Sequence, residues 1–199
     1  MTSFNVVLFN DFETLDALGP VEIIGKMPET YNLGYFSMEG GAILSRQQVS
    51  VNTVSFSEIK PNGVLLIPSG KGTRKLVNDA DFISHISALA QPSAHVMTVC
   101  TGSALLAKTG LLKGKNVTSN KMAFDWVCQN GNDIKWIKKA RWVNDGKYYS
   151  SSGVSAGMDM TLGFIRDIHG EKTARDICKY IEYIWNENKN NDPFAIEEY

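Results

Sequence analysis

The sequence predicts an α/β fold: a doubly wound α/β/α sandwich built on a mostly parallel sheet. Three observations carry this. Short apolar runs recur along the chain, as FNVVLF (4–9), YNLGYFS (31–37), GVLLIPSG (63–70) and HVMTVC (95–100). Segments with helical apolar spacing alternate with them. The runs at 4–9, 63–70 and 95–100 are apolar at successive positions rather than alternate ones, so both faces of the sheet must be covered. Right-handed crossovers then produce a flavodoxin-like sandwich. A length of 199 residues suits one domain, 1–199, with a sizeable core.

Taken in order, Phe4–Phe9 reads as a first buried strand and Leu15–Ile24 as the helix after it. Tyr31–Ser37 is the second strand. Gly63–Gly70 is the third, apolar until Pro68 ends it. A helix over Asp79–Ala90 leads to the fourth strand, His95–Cys100, and Thr101-Gly102-Ser103 opens another helix. Further on, Asn144-Asp145-Gly146 sits between two strand-like pieces and signals a hairpin. Gly153 precedes a helix that closes at His169 and Gly170. A last helix is expected over Glu171–Glu187, with Ile177, Tyr180, Ile181 and Ile184 on one face. The polar segment NENKNNDPFAIEEY should fray or lie along the surface. There is no internal repeat, low-complexity tract or linker.

Hydrophobic content of 43% and charged content of 21% describe an ordinary globular chain. A net charge of −1 offers no basic field for nucleic acid or an anionic membrane. No apolar stretch approaches the roughly 18 residues of a membrane span. The opening MTSFNVVLFNDF has neither a basic leader nor a small-residue cleavage site, so no signal peptide is expected. Three cysteines (Cys100, Cys128, Cys178) at wide spacing form no C-x-x-C pair. That argues against a zinc ribbon or a thioredoxin-like motif, and for a reducing, cytoplasmic setting. No metal and no cofactor is expected, and the partner expected is a small molecule.

In open α/β sheets, ligands bind beyond the carboxyl ends of the strands. After the first strand comes NDFETLDALGPVE, after the third PSGKGT, and after the fourth CTGS. Cys100 therefore stands on a strand-to-helix corner, the geometry of a nucleophile elbow. The helix start favours thiolate, whereas free cysteine is commonly a buried, inert residue. Locally both readings stay open. Cys128 and Cys178 lie inside helical patterns and read as packing residues. A nucleophilic cysteine usually has a histidine partner, yet none of His85, His95 and His169 is well placed. His95, for instance, lies about 16 Å back along the same strand. Carboxylates remain: Asp16, flanked by Leu15, Ala17 and Leu18, and also Asp11, Glu13 and Glu22. Burial would raise such an acid and fit it to move protons. Singly, each is equally explained as a first-turn acid of a helix. PSGKGT lacks P-loop spacing; its glycines suit close backbone approach or amide donors to an oxyanion. Ser119 and Ser152 have no G-x-S-x-G frame around them.

The motifs LDALGPVE, IPSGKGT, TVCTGSALLAKTGLLKGK and ARWVNDGKYYSSSGVSAGMDMTL, in that order, resemble the ThiJ/PfpI (DJ-one) superfamily of class I glutamine-amidotransferase-like proteins. Within it the chain looks most like the isonitrile hydratase branch and the amidotransferase-like domain of some AraC-type regulators. The resemblance implies Cys100 as elbow nucleophile, Asp16 as the acid hydrogen-bonded to it, and Thr101 as the residue offering N–H and hydroxyl. It implies Gly70, with Ser69 and Gly72 in the same loop, at the oxyanion and substrate pocket, and it implies a homodimer. Two positions depart from the pattern. Pro68-Ser69-Gly70 stands where Pro-Gly-Gly is usual, and Asn120-Lys121 where many relatives carry a histidine. The second departure argues against a Cys-His amidase or protease and against the glyoxalase/deglycase pattern. The function so implied is cysteine-dependent hydration of a small electrophilic carbon through a Cys100 thioimidate. The competing reading is a redox or ligand sensor using Cys100 as an oxidisable thiol. A regulator that binds DNA directly is disfavoured for want of a basic helix-turn-helix.

Overall fold

A computed structural model describes residues 1–195. The chain opens with β1 (Thr2–Val7), α1 (Thr14–Ile24) and β2 (Tyr31–Ser37). A hairpin of β3 (Glu39–Leu44) and β4 (Ser50–Ser55) follows. Then come β5 (Val64–Ile67), α2 (Thr73–Leu76), α3 (Ala80–Ala90), β6 (His95–Val99) and α4 (Gly102–Lys108). Two short strands, β7 (Asn116–Val117) and β8 (Lys135–Trp136), pair with each other around α5 (Phe124–Cys128). The chain returns to the main sheet with β9 (Trp142–Asp145) and β10 (Tyr148–Ser151), then ends in α6 (Ala156–His169) and α7 (Glu171–Tyr180).

The eight-stranded sheet runs β3-β4-β2-β1-β5-β6-β10-β9. All neighbours are parallel except β3 with β4 and β9 with β10 at the two edges. Its five central strands, β2-β1-β5-β6-β10, have the order 2-1-3-4-5 of a flavodoxin-like sheet. Successive apolar residues in β5 (Val64, Leu65, Leu66, Ile67) are all buried because helices cover both faces. Helices α1, α6 and α7 pack together as one layer, and α2 to α5 as the other. Among the described residues no helix is long and apolar enough to cross a membrane.

Two expectations need correction. The β3–β4 hairpin has no counterpart in the sequence reading, because its residues alternate between exposed and half-buried and include Gly40-Gly41. An edge pair leaves little apolar signal. The final helix stops at Tyr180 rather than Glu187: Glu182 takes φ 51°, and Tyr180 and Ile184 are 75% and 93% exposed. The cause lies in α6. Asp159 is fully buried, and the chain leaves its helix to satisfy it. Tyr183 Oη and Asn186 N–H donate to Asp159 Oδ1 at 3.1 and 2.9 Å, and Trp185 Nε1 donates to the Asp159 carbonyl at 3.1 Å.

On the other side of this carboxylate, Arg141 donates from Nε to Oδ2 at 2.6 Å. Arg141 also reaches Asp192 at 3.6 Å, and Lys121 faces Asp192 at 3.7 Å. The polar terminal segment is therefore anchored through a buried aspartate instead of fraying there. Its last four residues, 196–199, lie outside the described residues. Removing one partner from a buried charge network leaves the others uncompensated. We expect Arg141→Leu to cost about 3–5 kcal/mol, measured by urea unfolding with an unchanged m-value. A loss below about 1 kcal/mol would show that Asp159 and Asp192 do not depend on it.

Candidate active site

The sheet changes winding direction between β1 and β5, and three strand ends meet there. After β1, Phe12 forms a bridge to Gly70, and Glu13 N–H donates to the Ser69 carbonyl at 2.8 Å. This zips the loop after β1 to the loop after β5. Gly70 adopts φ +143°, and a Cβ there would lie 2.1 Å from the Asp11 carbonyl oxygen, so only glycine permits the approach. Gly72 departs from its expected role. It packs against Asn10 and Phe9 behind the loop and does not line the cleft.

Cys100 follows β6 directly and takes φ 54°, a left-handed conformation that a non-glycine residue holds only when its surroundings over-determine it. Here they do. The Cys100 N–H is shared between the carbonyls of Ser151 and Ser152, each at 3.2 Å. Its carbonyl accepts from Ser119 Oγ at 2.7 Å and Ser103 Oγ at 2.9 Å. Gly102 lets α4 start against the end of β5: a Cβ would stand 2.3 Å from the Ile67 carbonyl oxygen. The result is a strained strand-to-helix elbow that sets the Cys100 side chain in a cleft of about 460 Å³. Ser69, Gly70, Thr101, Asn120 and Val154 line the same cleft.

Asp16 sits in the first turn of α1, fully buried. Its Oδ2 accepts the Ser69 N–H at 3.2 Å and its Oδ1 has no hydrogen-bond partner, so the hydrogen bond to Cys100 that the resemblance implied is not formed; Asp16 acts on the thiol through its charge. Burial pushes this carboxyl up to about 7, against the hydrogen bonds of Ser69, with a small further push from Glu13. The Cys100 thiol is pushed up to about 12, first by burial and then by the negative charge of Asp16. The Ser69 side chain and the N–H groups of Thr101 and Val154 oppose that shift without overcoming it. This corrects the expectation of a thiolate at the helix start: burial and a neighbouring anion outweigh the donors. Both groups are raised by burial and the anion of Asp16 raises the thiol further, which favours the proton on sulfur over a thiolate beside the carboxylate.

Thr101 also differs in detail from expectation. Its hydroxyl lies 3.0 Å from that of Thr73, whose own proton goes to the Gly70 carbonyl at 2.7 Å. Thr101 must then donate to Thr73, which leaves its backbone N–H, and not its hydroxyl, as the donor towards the sulfur. Asn120 occupies the wall where a histidine was considered, and its Oδ1 accepts the Ala123 N–H at 2.9 Å. Lys121 turns away, donating to Ala140 O at 2.6 Å and Thr118 Oγ1 at 3.0 Å. No histidine lines the cleft. His85 is on α3, His95 packs on Phe164 and Tyr149, and His169 meets the Tyr31 hydroxyl at 2.7 Å. Cys128 and Cys178 are half-buried helix residues away from the cleft.

Sequence reasoning missed Val154 and Thr73. Val154 contributes a backbone N–H from a left-handed turn (φ 33°), for which side-chain identity carries no signal. Thr73 is the closing residue of the PSGKGT run, and its hydroxyl beside a glycine loop was the available clue.

Comparison with known proteins agrees with this geometry. The chain is 28% identical over 178 residues to the isonitrile hydratase of Pseudomonas putida, covering 89% of this chain and 76% of that protein. It is 26% identical over 145 residues to the deglycase PfpI of Pyrococcus furiosus, covering 71% and 84%. A crystal structure of a ThiJ/PfpI family protein from Pseudomonas syringae superimposes with a TM-score of 0.84 at 23% identity, over 97% of this chain and 77% of that one. The model of the DJ-1/PfpI family matches residues 3–167, most of the sheet and the whole of the cleft's elbow and loops, and the chain therefore belongs to the DJ-1/PfpI family.

Proposed function

We propose that the cleft hydrates a small electrophilic carbon, in the manner of an isonitrile hydratase, with Cys100 as nucleophile and Asp16 as the group that moves the proton. The observation that carries this is the buried carboxyl, brought near neutral pKa and coupled to the thiol through Ser69. A base with pKa near the working pH is the most effective one. With an isonitrile, R–N≡C, the sulfur forms a C–S bond to the terminal carbon as its proton passes to Asp16. Asp16 returns that proton to the same carbon, giving the thioimidate R–N=CH–S–Cys100. Asp16 next takes a proton from water as the oxygen adds to this carbon and passes it to the nitrogen, giving R–NH–CH(OH)–S–Cys100, whose hydroxyl proton goes through Asp16 to the sulfur in the next step. The C–S bond then breaks, the thiol is restored, and the formamide R–NH–CHO leaves. Overall, one water is added and no electrons are exchanged. The N–H groups of Thr101 and Val154, which already favour negative charge on sulfur, stabilise it while the bond forms.

The raised thiol counts against the sensor reading, because oxidation follows thiolate character. The deglycase reading finds no histidine in the cleft. As part of the same proposal, the chain works as a single-domain homodimer on a small molecule in the cytoplasm, where its cysteines stay free.

Three outcomes are expected. Cys100→Ala and Asp16→Asn each lower isonitrile hydration by at least about 100-fold; turnover within about threefold of wild type in either variant excludes the mechanism. In wild type, kcat/KM climbs with pH through about 7 as Asp16 loses its proton, then stays level to pH 9. Asp16→Asn removes that rise.

Stability moves oppositely. The folded value of about 7 lies above the unfolded value near 3.9, so the folded state binds the extra proton between them. The contribution of Asp16 is full below about pH 4 and is lost, by up to about 4 kcal/mol, as pH rises through 7. Urea unfolding of Asp16→Asn at pH 5 and pH 8 should lack this decline, making the variant inactive yet more stable than wild type at pH 8.

A further inference from the structure

The walls of the cleft carry charge that the hydration chemistry does not use. Arg46, Lys71 and Arg74 all line it, and Glu13 is the one carboxylate among its lining residues. The three cations come from different places: Arg46 from the β3–β4 turn, Lys71 from the loop after β5, and Arg74 from α2. None of them forms an ion pair among the described residues. Glu13, by contrast, is engaged by the Gln47 side-chain amide. The whole chain has a net charge of −1, so this gathering is not a by-product of a basic surface.

Arg74 is also pre-positioned. Its guanidinium lies 3.5 Å from the centroid of the Trp126 ring, so one flat face is held against the indole. The N–H donors of a guanidinium radiate in its plane, and stacking leaves that edge open. An in-plane fork matches the two oxygens of a carboxylate. Arg46 is held from the other side, its backbone N–H donating to Phe12 O at 2.8 Å, on the segment that bridges to Gly70. Resting on the hydration reading above, we propose that the substrate of this site carries a carboxylate. Arg46, Lys71 and Arg74 bind that carboxylate, and the electrophilic carbon beyond it points to Cys100.

Isocyanoacetate and its methyl ester, which lacks that charge and adds one methyl group, serve as the probes. Wild type should favour the acid by about tenfold or more in kcat/KM, through KM. Added salt at about 0.5 M, and the double variant Arg74→Gln/Lys71→Gln, should each bring the ratio towards one. Calorimetric titration of both probes into Cys100→Ala reads the same preference without turnover. An ester handled as well as the acid in both measurements overturns the proposal, as does a preference that survives the double variant, or failure of the acid to bind Cys100→Ala at millimolar concentration. If neither probe is turned over while Cys100→Ala still selects the acid, the hydration reading fails and the carboxylate site stands.

Discussion

Much of this structure follows from helix α4 turning back against the end of β5. The helix start lies so close to the Ile67 carbonyl that only Gly102 fits. The residue before Thr101 then has to take a left-handed backbone, and that residue is Cys100. Such a conformation costs of order 1–3 kcal/mol for a non-glycine residue. Ser103, Ser119, Ser151 and Ser152 hold it from four directions by bonding the Cys100 backbone. Ser151 and Ser152, the last residue of β10 and the one after it, are thus part of the site's support through their carbonyls.

The strain places a thiol at the floor of a cleft, and burial then decides its chemistry. A cysteine paired with histidine can rest as an ion pair. This one is paired with a buried aspartate, and two negative charges in one dry pocket oppose each other. Burial and the neighbouring anion therefore favour the proton on sulfur at rest, and in the proposed mechanism the nucleophile forms only as substrate is engaged. Ser69 ties the two groups together, its N–H on Asp16 and its side chain at the sulfur. The departure from Pro-Gly-Gly at this loop thus supplies the link between Asp16 and Cys100.

Farther out, charge is sorted by location. The buried acids Asp159 and Asp192 are met by Arg141 and Lys121, and the pairs to Asp192 anchor the terminal segment. Lys121 is thereby committed to structure although it is next to a cleft residue. At the cleft itself, Arg46, Lys71 and Arg74 form no ion pair among the described residues, and in the proposed site their charge goes to a substrate carboxylate.

The order of the central strands β1, β2, β5 and β6, the β9–β10 hairpin and the main helices between them was legible because it rests on local apolar runs and turn residues, as in VLLI of β5 and Asn144-Asp145-Gly146. So was the elbow, since Val99-Cys100-Thr101-Gly102 places a thiol between an apolar strand and a glycine-started helix. Asp16 needed the family resemblance, because its neighbours alone fit an ordinary first-turn acid equally well. Other features were beyond reach. The β3–β4 edge buries too little to pattern its sequence, and α7 ends early because Asp159, more than twenty residues back, takes the hydrogen bonds of Tyr183 and Asn186. The protonation state of Cys100, the true place of Gly72 and the convergence of Arg46, Lys71 and Arg74 were likewise decided by the tertiary structure. Each is a sum of burial and charge over residues distant in the chain, whereas sequence reports directly only on what neighbours along the chain do to one another.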